Sequence, residues 1–214
     1  DSIDFSMINH PKKIISQWQK DYSPEEIEDL CKWNNSTSKI WFRLNDEVKK
    51  TLKLDKMNKF HHHSDIINYI TFDDTKSAIE KFVKNNLLIV QSPSSSLVCD
   101  MLNVCKDDIV IDACASPGGK ARCILENIDN SNVFHMNDIS SKKYLQLNND
   151  FKNSVSSITC KDASYEKFPL ADKILLDVPC SATGTIQKNP DIKWKKHNLE
   201  KLNILQLKIL KNMS

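Results

Sequence analysis

Three glycines in 214 residues leave this chain few places for a left-handed backbone turn. Average usage of about 7% would supply roughly fifteen. The three present fall in two short stretches: Gly118 and Gly119 in Asp-Ala-Cys-Ala-Ser-Pro-Gly-Gly-Lys, residues 112–120, and Gly184 in Cys-Ser-Ala-Thr-Gly, residues 180–184. Glycine is indispensable only where φ is positive or where something must approach the backbone closely. These two loops are therefore the expected functional site.

The segments around the loops alternate between strand and helix signals. Asn86–Gln91 reads as an apolar strand, and Ser92-Pro93 opens a helix to about Asn103. Asp108–Asp112 is a second strand, followed by the glycine loop and a helix through Leu125. Val133–Met136, Ile158–Cys160 and Lys173–Val178 are further strands, with a helix over Ser140–Phe151 between the first two. Such alternation predicts a parallel sheet covered on both faces, an α/β Rossmann-like fold. Residues 1–85 read as a small α+β accessory region. It opens with His10-Pro11 before Ile14, Ile15 and Trp18, and continues with the capping box Ser23-Pro24-Glu25-Glu26 and a strand over Lys39–Asn45. Residues 86–214 form the second domain.

A chain of this length with 40% hydrophobic residues can bury a core. Its longest uncharged apolar stretches fall far short of the ~20 residues of a membrane span, and its N-terminus lacks a signal-peptide pattern, so a cytoplasmic protein is expected. Seven cysteines without a Cys-x-x-Cys pair fit neither a disulfide framework nor a zinc site, and no metal is expected. His61-His62-His63 reads as a surface loop, because three consecutive side chains cannot all face one ion from regular structure. A net charge of +2 does not announce a nucleic-acid partner. Two local lysine clusters are stronger signals: Lys49, Lys50, Lys53 and Lys56, and then Lys188, Lys193, Lys195 and Lys196. Each alone also suits an ordinary solvated surface.

A strand ending in Asp112, a Pro-Gly-Gly turn and a helix start bring backbone N–H groups to a polar ligand. The loop is neither the dinucleotide fingerprint nor a Walker A loop, because the required glycines and the hydroxyl after Lys120 are missing. Asp138 follows the next strand, nineteen residues after Gly119, where an acid would hydrogen-bond ribose hydroxyls. Asp162 and Asp177 follow later strands. Acids at four successive strand ends point to S-adenosylmethionine bound at the carboxyl edge of the sheet. Cys180, between Pro179 and Ser181 just past a strand, is a candidate for covalent chemistry rather than packing.

Together, Asp-Ala-Cys-Ala-Ser-Pro-Gly-Gly-Lys, the acids Asp138 and Asp162, and Asp177-Val178-Pro179-Cys180 through Trp194 resemble the RsmB/Sun family of RNA cytosine-5 methyltransferases. The likeness runs over residues 86–196 and extends to His10-Pro11, Asn34-Asn35 and Trp41–Asn45 in the accessory region. It implies a class I methyltransferase sheet, and an accessory domain that contacts a ribosomal or transfer RNA. Cys114, Ala115, Ser116, Pro117, Gly118, Gly119, Lys120, Asp138, Asp162 and Asp177 would then contact S-adenosylmethionine. Arg43, Lys188 and Lys193 would bind RNA.

In that family the attacking thiolate belongs to a Thr-Cys motif one strand beyond the Pro-Cys cysteine, which assists release of the methylated base. By this resemblance Cys180 is the helper. No Thr-Cys follows it, the single such pair being Thr159-Cys160. The expectation is a sheet lacking its last strands, with Lys173–Val178 as an open edge, a helix over residues 197–212, and a functional protein that continues past Ser214. The alternative is a non-catalytic RNA- and cofactor-binding assembly module. An amino-group methyltransferase is weaker, since Asp177-Val178-Pro179-Cys180 stands where such enzymes carry Asp/Asn-Pro-Pro-aromatic.

Overall fold

A computed structural model describes residues 9–44, 60–66, 68–73, 76, 83 and 88–214. The chain divides into two compact units. The first runs up to Lys39 and adds Cys180–Leu202, and the second holds Ile40–Pro179 and Asn203–Ser214.

In the first unit, α1 (Lys12–Trp18) follows Pro11, and α2 (Pro24–Asn35) starts at the anticipated capping box. The Ser23 amide donates to Glu26 Oε2 at 2.8 Å, and the Glu26 amide donates to Ser23 Oγ at 3.3 Å. Two backbone donors that a helix start leaves unpaired are thereby satisfied. Ile27, Cys31 and Asn34 line the buried face of α2. Beyond Cys180, two 3-10 turns, Thr183–Thr185 and Pro190–Trp194, bury Ile186 and Ile192.

The second unit contains two four-stranded sheets. The antiparallel sheet combines β1 (Phe42–Arg43), β2 (Phe60–His62), β3 (Tyr69–Phe72) and β4 (Ile89–Val90) in the order β2-β3-β1-β4. Two expectations change here. Ile89–Val90 pairs antiparallel with Phe42–Arg43 instead of opening the parallel sheet. A short apolar run does not disclose which sheet it joins. Phe60–His62 is a strand, and His61 meets Asp73 at 2.9 Å across the hairpin, so the histidine run is not a loop. The lysine run between residues 49 and 56 lies outside the described residues.

The parallel sheet is the Rossmann-like core. Its strands β5 (Ile109–Asp112), β6 (Val133–Asn137), β7 (Ser157–Thr159) and β8 (Lys173–Leu175) stand in the order β7-β6-β5-β8. Three helices link or flank them: α3 (Pro93–Met101), α4 (Gly119–Asn127) and α5 (Ser141–Phe151). Burial on both faces explains the unbroken apolar run of β5. Val110 joins Phe134, Met136, Leu147 and Phe151 in one core, while Ile111 joins Ile209 and Met213 of α6 (Leu199–Met213) in another. Strand β8 has β5 on one side and, among the described residues, no strand on the other.

The strand ends are tied together by one buried amide. Asn137 Nδ2 donates to the carbonyls of Ala113 and Lys161, both at 3.0 Å. Its Oδ1 accepts from Thr159 Oγ1 at 2.7 Å and from the Lys161 amide at 2.9 Å. All four hydrogen-bonding positions of the side chain are filled. Replacing it with alanine leaves several buried groups unpaired, at about 1–3 kcal/mol each. Asn137→Ala is therefore expected to lower unfolding free energy by at least about 3 kcal/mol, read from the urea midpoint at unchanged slope. A loss under about 1 kcal/mol would contradict this role.

Candidate active site

The carboxyl ends of the parallel strands carry the acids in a row set by strand order. Asp112 ends β5, Asp138 follows β6, Asp162 lies three residues past β7, and Asp177 two past β8. In open α/β sheets this edge, and especially the point where strand order reverses between the first and fourth strands, is where ligands bind.

The loop after β5 turns through a cis Ser116–Pro117 peptide and then Gly118 at φ 95°. A Cβ on Gly118 would meet the Phe151 ring at 2.4 Å, so both conformation and space require glycine. Gly118 brings no capping side chain to α4, which leaves first-turn N–H groups for a ligand. Gly119 is held from behind, where buried Gln91 donates Nε2 to its carbonyl at 2.8 Å. Gln91 Oε1 accepts from Tyr69 and Cys123. Gly184 behaves differently. A Cβ there would meet nothing within 4 Å, and the left-handed residue in its loop is Ala182, at φ 58°. Of the two reasons expected for a glycine, positive φ does not apply to Gly184.

Asp112 is the most unusual acid. It is 1% exposed, and its Oδ1 is a buried oxygen with no hydrogen-bond partner among the described residues. Burial pushes its pKa up to about 7, with Asp177 and Asp138 adding to the rise and the Cys114 amide and Lys120 opposing it. Burial also raises the Cys114 thiol to about 11, helped by the charges of Asp112, Asp138 and Asp177. Cys114 is thus held as a protonated thiol, unsuited to nucleophilic attack at neutral pH.

Asp138 is buried. Its Oδ1 accepts from the Ser140 amide at 3.0 Å, and its Oδ2 lies 3.6 Å from Lys143 Nζ. Asp177 accepts from Lys120 Nζ at 2.5 Å. Asp162 Oδ1 accepts from the Ser164 amide at 2.8 Å. The second unit therefore brings together residues 112–120, Asp138, Asp162 and Asp177. Cys180 is exposed in the first unit, its Sγ accepting from the Ala182 amide at 3.3 Å, with Lys188 and Lys193 on the following turns.

Arg43 departs from the RNA-contact expectation. It is 5% exposed and ion-paired with Glu126 inside the second unit, so its guanidinium is not offered to phosphate. Phe42, its neighbour in the strand, is buried as well. Asn137 and Gln91 escaped the sequence reading because a buried amide has the same letter as a solvated one. Among the described residues, no cluster of His, Cys, Asp or Glu is placed to hold a metal, and no helix is long and apolar enough to cross a membrane.

The parallel sheet and its acid-rimmed loop have the Rossmann-like fold of class I methyltransferases. The chain's family model is 16S rRNA methyltransferase RsmB/F, matched over residues 99–214, and the chain belongs to that family. The ribosomal RNA small subunit methyltransferase B of Vibrio vulnificus is 30% identical over 202 residues, covering 86% of this chain and 46% of its own. Its Vibrio cholerae counterpart is 28% identical over 229 residues, covering 99% and 52%. The chain spans about half the length of these curated relatives. The crystal structure of NSun6 from Pyrococcus horikoshii with SFG shares the fold at TM-score 0.80 and 15% identity, covering 97% of this chain and 80% of that one.

A carboxyl with a raised folded-state pKa holds its proton more tightly when folded. Its favourable contribution is complete below about pH 4 and is lost as pH rises toward 7. Asp112→Asn should therefore gain stability relative to the parent over that interval, by up to about 4 kcal/mol, and stay level above it. Thermal unfolding from pH 4 to 8 reads this directly, and a pH-independent difference would refute the buried titration. Gly118→Ala should unfold several degrees lower at every pH.

Proposed function

We propose that this chain transfers a methyl group from S-adenosylmethionine to carbon 5 of a cytosine in ribosomal RNA. Residues 1–85 serve as the RNA-binding accessory region and residues 86–214 as the methyltransferase domain. The observation that carries the reading is the unpaired Oδ1 of Asp112, on the sheet edge that also carries the open first turn of α4 and the other acids. That donor and acceptor set fits a ligand with a cationic amino-acid portion and ribose hydroxyls. The names of the relatives favour ribosomal over transfer RNA.

Residues 114–120, Asp138, Asp162 and Asp177 would hold the cofactor, which supplies an electrophilic methyl carbon on a sulfonium. Asp138 is pre-oriented by the Ser140 amide and retains acceptor capacity on Oδ2 for ribose. Asp177 is steered by Lys120. Gln91, by fixing the Gly119 carbonyl, keeps the first turn of α4 aimed at the ligand. Carbon 5 of cytosine is a poor nucleophile until a thiolate adds to carbon 6 and makes the ring enamine-like. Methylation is completed when the carbon-5 proton and the sulfur leave. By the family resemblance, Cys180 assists that release.

Asp138→Ala should weaken S-adenosylmethionine in calorimetric titration roughly 10- to 100-fold, the worth of a charge-assisted acceptor. Unchanged affinity would remove Asp138 from the site. In full-length protein supplied with RNA and cofactor, Cys180→Ser should accumulate a covalent protein–RNA species on denaturing gels. Loss of methylation with no such species would make Cys180 the attacking thiol instead.

A further inference from the structure

A cavity of about 240 Å³ has all its lining residues in the first unit. Two indoles, Trp18 of α1 and Trp194 at the end of the second 3-10 turn, are part of its wall. Lys13, Lys193 and Lys196 stand around it, and among the described residues none of the three has an ion-pair partner. Lys195 also lines it and is engaged by Asp191 at 2.9 Å. Among the described residues, no aspartate or glutamate lines the cavity. His197 contributes an Nε2 that is buried without a hydrogen-bond partner among the described residues.

Each feature narrows the occupant. Trp194 is 63% exposed, so its indole can be reached from solvent at the cavity wall. Unopposed lysines raise the local concentration of anions. The unpaired ring nitrogen requires a polar group at the cavity wall. The volume is below the ~300 Å³ at which sites for larger ligands begin, and suits one heteroaromatic ring system. Aromatic faces interleaved with lysines make the stacking-and-backbone arrangement by which single-stranded nucleic acid is held. Ser181, also in the wall, follows Cys180 directly, so the cavity is covalently next to the thiol loop.

We infer that this cavity is a nucleobase pocket, taking an unpaired RNA base close in sequence to the methylated one. The base stacks on Trp194 and Trp18, its edge reaches His197 Nε2, and the flanking phosphates meet Lys13, Lys193 and Lys196. The inference rests on the RNA reading above and extends it to a second recognised nucleotide.

The test is fluorescence anisotropy with a fluorescein-labelled, single-stranded 12-nucleotide RNA of mixed sequence. Trp194→Ala should weaken binding roughly 5- to 100-fold, the range for losing one base–aromatic stack. Trp194→Phe should retain most of the affinity, and Trp33→Ala, an exposed indole on α2 outside the cavity, should change nothing. The same backbone with abasic sugars should bind weakly and no longer respond to Trp194→Ala. An RNA carrying 2-aminopurine should show base fluorescence quenched by the parent protein and restored in Trp194→Ala. If the parent binds the RNA with normal salt dependence but Trp194→Ala binds equally well while folded by circular dichroism, the pocket assignment fails and the RNA reading survives. If the parent does not bind RNA at all, both fall. A hexaglutamate peptide bound with the same tryptophan dependence would assign the cavity to an acidic protein segment and overturn the proposal.

Discussion

Asn137 decides where the ligand-facing loops of the sheet stand. One carboxamide joins the loop after β5, through Ala113, to the end of β7, through Thr159 and Lys161. Its own carbonyl accepts from the Ala115 amide at 2.8 Å, so the backbone of β6 contributes a fifth link. Parallel strands end without a tight turn to fix their geometry, and each loop leaves the sheet with unpaired backbone groups. A single residue with two donors and two acceptor positions satisfies them together. Asp138 and the glycine loop inherit their positions from this knot.

The same edge is electrostatically loaded. Four carboxylates stand along one rim, with Lys120 and Lys143 as the cations nearest them. Placing Asp112 fully inside that rim costs stability in the unliganded chain, as the rise of its pKa records. Local cost of this kind is retained where a ligand offsets it, and perturbed carboxyls cluster at such sites. The cysteines divide along the same lines. Cys114 is half-buried among negative charges and kept protonated, while Cys180 is exposed on a loop of the other unit.

Much of the architecture is readable from residue order, because each parallel strand is an apolar run bounded by an acid or a turn. Ile109–Asp112, Val133–Asn137 and the helix at Ser141–Phe151 fall within a residue or so of expectation. What is hidden depends on tertiary context. Ile89–Val90 has the composition of a core strand but is taken by the antiparallel ladder of Phe42–Arg43. Arg43 looks like an RNA contact until Glu126 is found beside it, 83 positions away in the chain. Asn137 and Gln91 carry no pattern marking them as buried. The low glycine count points correctly to Gly118, but it does not show that in the second loop the left-handed residue is an alanine.

Gly118 has one more property that follows from its neighbour. The atom barring any side chain there belongs to Phe151, the last residue of α5, which also packs under the Arg122 guanidinium at 4.7 Å. The bend of the loop and the final turn of a helix thirty-odd residues later are thus a single packed unit. The Arg122 amide, which donates to the Gly118 carbonyl at 3.0 Å, should exchange with solvent only when the end of α5 opens, so both regions share one protection level and one opening event. A change near Phe151, remote from any ligand atom, would be felt first as breathing of the loop.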